Sequence, residues 1–344
     1  MNSTASPTDR YLKVLEKHWG YTEFRGIQRD IIESIGAGRD TLGLMPTGGG
    51  KSITFQVPAM VLPGVCVVVT PLIALMKDQV AGLRKRHIRA AALHAGLGHE
   101  EILTILDNCV FGHYKFLYVS PERLSSEIFM AKFRHMEVSF VTIDEAHCIS
   151  QWGHDFRPAY LQIAELRKVK PDCPVLALTA TATPEVACDI QHVLRFRQEN
   201  VFRMSFYRPN LAYQVLWADF SLQSLRRVLE AENGSCIIYR RSRQQCEDLS
   251  KVLNQWGFTS TFFHAGLSHP EKDKRQTLWV QDKVRIMVAT SAFGMGIDKA
   301  DVRLVVHLDI PDSIEEYFQE AGRAGRDGLP ARSIIILDGK ELQY

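Results

Sequence analysis

The sequence predicts an α/β chain of two tandem lobes, each a mostly parallel sheet flanked by helices. Three observations carry that expectation. Short β-branched runs alternate with helical stretches along the whole chain, the pattern of parallel strands joined by crossover helices. The rhythm breaks at Pro209 and then restarts. A tetrapeptide, His94-Ala95-Gly96-Leu97, returns as His264-Ala265-Gly266-Leu267, each time after a candidate strand, as expected of two similar lobes.

In the first half, strands are expected at residues 41–45, 65–70, 116–119, 139–143 and 175–178. Helical spacing lies between them, from Lys51 onward and from Leu72 to Arg86. The second half repeats the alternation, with strands at 236–239, 259–263, 285–289, 304–307 and 333–337. Ser205-Phe206-Tyr207-Arg208-Pro209-Asn210 separates the halves, giving a first lobe over 10–207 and a second over 208–344. Residues 1–9 are Ser/Thr/Pro-rich, lack the apolar core of a signal peptide, and read as a disordered leader.

The 344 residues are 46% hydrophobic and 23% charged, enough apolar material for two cores. A net charge of +2 does not by itself announce a nucleic-acid binder. Any electrostatic footprint is local, in Arg84-Lys85-Arg86 or Arg240-Arg241-Ser242-Arg243. Taken singly, each such run reads as a solvated helix end or loop. Seven cysteines with no C-x-x-C pair argue against a disulfide framework and a zinc module, so no zinc is expected. They fit a reducing compartment, cytoplasmic and nucleoid-associated in a bacterium or nuclear in a eukaryote. No apolar run is long enough to span a bilayer, and no membrane partner is expected.

Met45-Pro46-Thr47-Gly48-Gly49-Gly50-Lys51-Ser52 follows a strand and opens a helix, the context of a P-loop. Its glycines let backbone N–H groups face phosphate oxygens, and the helix N-terminus favours negative charge. Lys51 would reach the β- and γ-phosphates of ATP, and Ser52 would ligate Mg²⁺. Met45 stands where the strict pattern has its first glycine. A P-loop needs an acidic partner at a strand end, and Phe140-Val141-Thr142-Ile143 delivers Asp144 and Glu145 there. Asp144 would hold the Mg²⁺ shell, and Glu145 would orient or deprotonate the attacking water.

Asp144-Glu145-Ala146-His147 is the signature of superfamily-two helicases. The run from Asp144 through Gln151-Trp152-Gly153-His154-Asp155-Phe156-Arg157-Pro158 closely resembles the aromatic-rich loop of RecQ-family DNA helicases. Thr70 to Gln79, Ser120 to Leu124, Leu178 to Thr183, Ala289 to Asp298 and Gln319 to Gly328 extend the resemblance over nearly the whole chain. It implies two RecA-like lobes, ATP and Mg²⁺ as cofactors, and 3′ to 5′ movement on single-stranded and forked DNA in recombination and repair.

The resemblance also assigns residues. Tyr21, Arg25 and Gln28 match the family's adenine segment, with Gln28 reading the base and Tyr21 and Arg25 stacking on it. The family usually has Pro-Gly where this chain has Gly26-Ile27. An amide that reads adenine implies ATP over GTP. Arg326 becomes the arginine finger, Arg323 a companion phosphate contact and Gln319 a γ-phosphate sensor. Trp152, Phe156 and Arg157 offer aromatic and cationic chemistry for single strands. Thr179 and Thr181 couple hydrolysis to lobe closure, and Thr290 and Ser291 touch phosphates. His94, His147 and His264 lack metal-ligand spacing and read as hydrogen-bonding groups.

Two other readings compete: a DEAD-box-like RNA-dependent ATPase, and a non-hydrolysing nucleic-acid-binding module. The aromatic loop opposes the first, and intact Lys51, Asp144, Glu145 and Arg326 oppose the second. RecQ relatives commonly continue into zinc-binding and winged-helix regions, which would follow Tyr344. Without them, poor unwinding of blunt duplex is expected.

Overall fold

The computed structural model of the chain describes residues 7–151, 155–293 and 299–338. It divides into two compact units, Met1–Phe206 and Tyr207–Tyr344.

The first unit opens with α1 (Pro7–Trp19), α2 (Gln28–Gly36), β1 (Thr41–Leu44) and α3 (Lys51–Val61). It continues through β2 (Val65–Val69), α4 (Ile73–Lys85), β3 (Ala90–Leu93), α5 (His99–Val110) and β4 (Phe116–Val119). It closes with α6 (Glu127–His135), β5 (Val138–Ile143), α7 (Ile163–Val169), β6 (Val175–Thr179), α8 (Pro184–Val193) and β7 (Val201–Arg203). Seven strands form one sheet in the order β3-β4-β2-β5-β6-β1-β7, with parallel pairings throughout.

Helices on both faces bury the strands, which therefore read as continuous apolar runs. Ile31, Phe55, Met76 and Leu83 of α2, α3 and α4 fill one side, and Leu106, Phe133, Leu166 and Ile190 of α5 to α8 fill the other. Helix α1 starts inside the stretch read as a disordered leader, and residues 1–6 of that stretch lie outside the described residues. Its Tyr11 and Leu15, one turn apart, are buried against Ile32, Ile53 and Val57. That apolar stripe overrides the polar composition around it.

The second unit holds β8 (Leu211–Trp217), α9 (Ser221–Glu230), β9 (Ser235–Tyr239), α10 (Arg243–Gln255), β10 (Ser260–Phe263) and α11 (His269–Val280). After these come β11 (Ile286–Ala289), β12 (Val302–His307), α12 (Ile314–Ala321) and β13 (Ala331–Leu337). Its parallel sheet runs β10-β11-β9-β12-β13-β8. The order β10-β11-β9-β12 repeats β3-β4-β2-β5 of the first sheet, and the repeated tetrapeptide follows the edge strand in both. The two copies differ in bonding. His94 Nδ1 lies 2.6 Å from the Ala95 carbonyl, whereas His264 Nε2 lies 3.0 Å from a Glu247 carboxylate oxygen.

Three strands, β3, β7 and β8, fall outside those expected from β-branched runs. All three are sheet edges. β3 is nearly all alanine, a helix former that becomes a strand because Ala91 pairs with Leu117 on β4. Asp40, just before β1, anchors the opposite end of the first sheet from the P-loop. It accepts bonds from the Arg167 and Arg197 guanidiniums and from the Val175 and Arg197 N–H groups.

Candidate active site

Strand β1 hands the chain to the P-loop through Met45, whose N–H donates to the Thr179 carbonyl at 3.0 Å. Met45 is fully buried among Ile31, Phe55 and Leu178. The position that departs from the strict motif thus belongs to the core. Gly48 and Gly50 adopt left-handed conformations, φ 81° and 74°. The left-handed φ at Gly50 favours glycine, and a Cβ there would sit 2.4 Å from Gln28 Nε2 and displace that amide. Lys51 and Ser52 begin α3 directly behind it, and no side chain caps the helix N-terminus, the kind of end that suits an anion.

Gln28, expected to read adenine, bonds the P-loop backbone. Its side chain is 4% exposed, Nε2 donates to the Gly49 and Gly50 carbonyls, and Oε1 accepts from the Arg25 N–H. In this state its amide braces the P-loop, and an adenine would have to take over those bonds. Tyr21 is half exposed, with the Arg25 guanidinium 5.5 Å from its ring centre.

Strand β5 ends at Ile143 and delivers the two carboxylates. Asp144 continues the ladder, its N–H donating to the Val69 carbonyl at 2.9 Å, and its own carbonyl accepts from the Tyr160 hydroxyl at 3.0 Å. Glu145 is held at φ 50°, a conformation that costs a residue with a side chain about 1–3 kcal/mol. Its N–H donates to Asp144 Oδ1 and its Oε1 lies 3.8 Å from Lys51 Nζ. Burial, then the negative charge of Glu145, push the Asp144 carboxyl up to about 6. A cation between them would relieve both effects. The oxygen donors Asp144 and Ser52 suit Mg²⁺ in that role.

The turn after Glu145 is a short 3₁₀ segment, Ala146–Ile149, buried throughout. His147 Nδ1 lies 2.7 Å from Thr179 Oγ1, and Thr179 in turn bonds the Thr181 backbone. Both threonines are buried. Arg157 is held by Asp155, Nη2 donating to Oδ2 at 2.9 Å, and its N–H donates to the Cys148 carbonyl. Phe156 is half-buried. Trp152 lies outside the described residues.

In the second unit, Thr290 and Ser291 follow β11, with Ser291 exposed beside Arg240 and Arg241. Gln319 on α12 and Arg326 beyond it are half-buried. Arg323, expected to contact phosphate, is 6% exposed, with its guanidinium charge close to the Tyr239 hydroxyl. Sequence reasoning missed a buried pair beneath it, His307 Nε2 with Glu320 Oε2 at 2.9 Å, which ties the end of β12 to α12. No local pattern marks that pair. It also missed Asp155 as the partner of Arg157, although an acid two residues away was a visible signal.

Residues 25–190 match the family model described as DEAD/DEAH box helicase, and residues 221–328 the one described as helicase conserved C-terminal domain. The ATP-dependent DNA helicase RecQ of Pasteurella multocida is 42% identical over 95% of this chain and 52% of the relative. The probable ATP-dependent DNA helicase RecS of Bacillus subtilis is 41% identical over 94% of this chain and 66% of its own length. The RecQ-like DNA helicase blm-1 of Caenorhabditis elegans is 41% identical over 94% and 34%. The chain spans about half the length of the first of these relatives. Among solved structures, the DEAD-box helicase Mss116 bound to ssRNA and UDP-BeF has a TM-score of 0.78 at 19% identity, over 96% of this chain and 74% of that one. The Mycobacterium smegmatis helicase Lhr bound to ssDNA and AMP-PNP has a TM-score of 0.74 at 19% identity, over 96% and 47%. Both likenesses concern the fold, two parallel-sheet α/β lobes of the RecA type.

Proposed function

The chain belongs to the RecQ family of ATP-dependent DNA helicases, and on that premise we propose that it hydrolyses ATP to move 3′ to 5′ along single-stranded DNA and open forked duplex during recombination and repair. The observation that carries this reading is the 3.8 Å approach of Lys51 Nζ to Glu145 Oε1. It brings a phosphate-binding cation and a water-activating carboxylate into one cleft at the strand ends of a single lobe. When ATP enters, the γ-phosphate competes for Lys51 and frees Glu145 for the attacking water. Ser52 and Asp144 would hold Mg²⁺, which would supply charge neutralisation for the nucleotide's phosphates. The P-loop N–H groups and the α3 N-terminus orient the phosphates, while Tyr21, Arg25 and Gln28 take the base. Arg326 and Gln319 supply the second lobe's contribution at the γ-phosphate. Trp152, Phe156, Arg157, Thr290 and Ser291 contact or sense the strand, and Thr179 and Thr181 relay that contact.

The fold alone does not separate DNA from RNA, because its structural neighbours are bound to either. Identity of about 40% to DNA helicases favours DNA. The reading places the protein in the cytoplasm of a bacterium or the nucleus of a eukaryote. Phosphate release measured with single-stranded DNA, forked DNA, blunt duplex and RNA tests it. Stimulation by single-stranded and forked DNA above RNA is expected, and stimulation by RNA alone would overturn it.

A further inference from the structure

Three donors in the turn after β5 converge at a point that neither the nucleotide nor the strand reading uses. His147 Nε2 lies 3.7 Å from Cys148 Sγ, and Cys148 Sγ lies 3.6 Å from Asp155 Oδ2. All three ligand atoms fall within 4.8 Å of one another.

The hydrogen bonds around His147 fix its tautomer. Thr179 Oγ1 donates to the Thr181 carbonyl at 3.1 Å, so it accepts from His147 Nδ1 at 2.7 Å. Nδ1 therefore carries the proton, and the Glu145 carboxylate 3.5 Å away favours it there. Nε2 turns its lone pair toward Cys148. The thiol thus has one proton between two acceptors, an imidazole nitrogen and a carboxylate.

The spacing suits a metal ion. A tetrahedral zinc-type ion has bonds of about 2.0–2.3 Å to nitrogen, oxygen and sulfur, which set neighbouring ligand atoms about 3.5 Å apart. The two short separations here are 3.7 and 3.6 Å. The Nδ1–H bond to Thr179 is the outer support that metal-binding histidines characteristically have. Asp155, whose side chain is 33% exposed, offers a way in from solvent.

We propose that His147, Cys148 and Asp155 bind one thiophilic divalent cation of the zinc type. The ion displaces the thiol proton to solvent and keeps its oxidation state, and a water completes the fourth position. This departs from the expectation that no zinc binds, which rested on paired Cys and His spacing; here the fold closes a set that such spacing does not reveal. The ion draws on the Asp155 Oδ2 that now holds Arg157 Nη2 at 2.9 Å. It also cross-links the turn carrying Glu145 to the loop carrying Phe156 and Arg157. Occupancy therefore inhibits nucleic-acid stimulation of turnover.

The test is titration of the chelator-treated full chain with Co²⁺, read by thiolate-to-cobalt absorbance, which does not depend on the helicase reading. One equivalent should bind, and Zn²⁺ should displace it. Cys148→Ser should abolish the band, Asp155→Asn should weaken binding at least about tenfold, and Cys188→Ser, at an exposed cysteine, should change nothing. Because Asp155 is partly exposed, its variant carries the test should Cys148→Ser fail to fold. Absence of a thiolate band, or a band unchanged in both Cys148→Ser and Asp155→Asn, overturns the proposal.

Discussion

His147 Nδ1 lies 2.7 Å from Thr179 Oγ1, which joins the turn bearing the two carboxylates to the end of β6. The bond is buried at both ends. Thr179→Val keeps the shape and removes the acceptor. Leaving a buried N–H unpaired costs about 1–3 kcal/mol. Expressed on the barrier, that is a loss of roughly 5- to 150-fold in DNA-stimulated turnover. ATP and DNA affinities should hold within a few-fold. Steady-state kinetics with parallel binding titrations check this; equal losses in binding and turnover would make the bond merely structural.

Lys51→Ala and Glu145→Gln should fail in different ways. On the proposed reading Lys51 meets the phosphate in the ground state, so its loss should weaken ATP binding and abolish hydrolysis. Glu145 is proposed to act on the water, so Glu145→Gln should bind ATP nearly normally and turn over about 10²–10⁴ times more slowly. Nucleotide affinity and single-turnover rates on both variants decide it. Normal turnover in Glu145→Gln would sink the assignment.

Arg326→Ala should cut DNA-stimulated turnover by about 10³–10⁵ while sparing DNA affinity, as loss of a trans-acting arginine does elsewhere. Arg323, buried on Tyr239, should instead behave as a packing residue whose alanine variant melts earlier. Reversed outcomes would exchange the two roles.

Asp40 sets the acid stability of the first lobe. Burial pushes its pKa up, but hydrogen bonds from Arg197 and Val175 and the charge of Arg167 outweigh it, so the carboxyl ends below its ordinary 3.8. A lowered acid stabilises the fold above its unfolded pKa and loses that contribution as pH falls through the folded one. Lobe stability should therefore be flat from neutral pH to about 5 and decline below 4. Asp40→Asn should cost about 3–5 kcal/mol at neutral pH, since it leaves the buried Arg167 uncompensated. That penalty should shrink in acid. Peptide-resolved hydrogen exchange at several pH values reads the first lobe separately, and a pH-independent penalty would rule out the charge argument.

Much of the site was legible because its parts are local. An apolar strand ending at Leu44 followed by glycines and Lys51, and another ending at Ile143 followed by two acids, encode both conformation and chemistry within ten residues. The restart after Pro209 likewise announced a second sheet. Edge strands were harder, because a sheet edge needs less β-branched burial: alanine-rich β3 is a strand only through its partner β4.

What the sequence by itself determined was the class of fold, the alternation of its central strands with helices, and the strand ends that carry Lys51, Asp144 and Glu145. Only the tertiary structure decided which polar groups meet: Gln28 with the Gly50 carbonyl, Asp40 with Arg167, His147 with Thr179, Arg323 with Tyr239. Strand and turn conformations follow from a few neighbouring residues, whereas buried donors and acceptors find partners only when packing has brought distant segments to hydrogen-bonding distance and removed the water that would otherwise satisfy them.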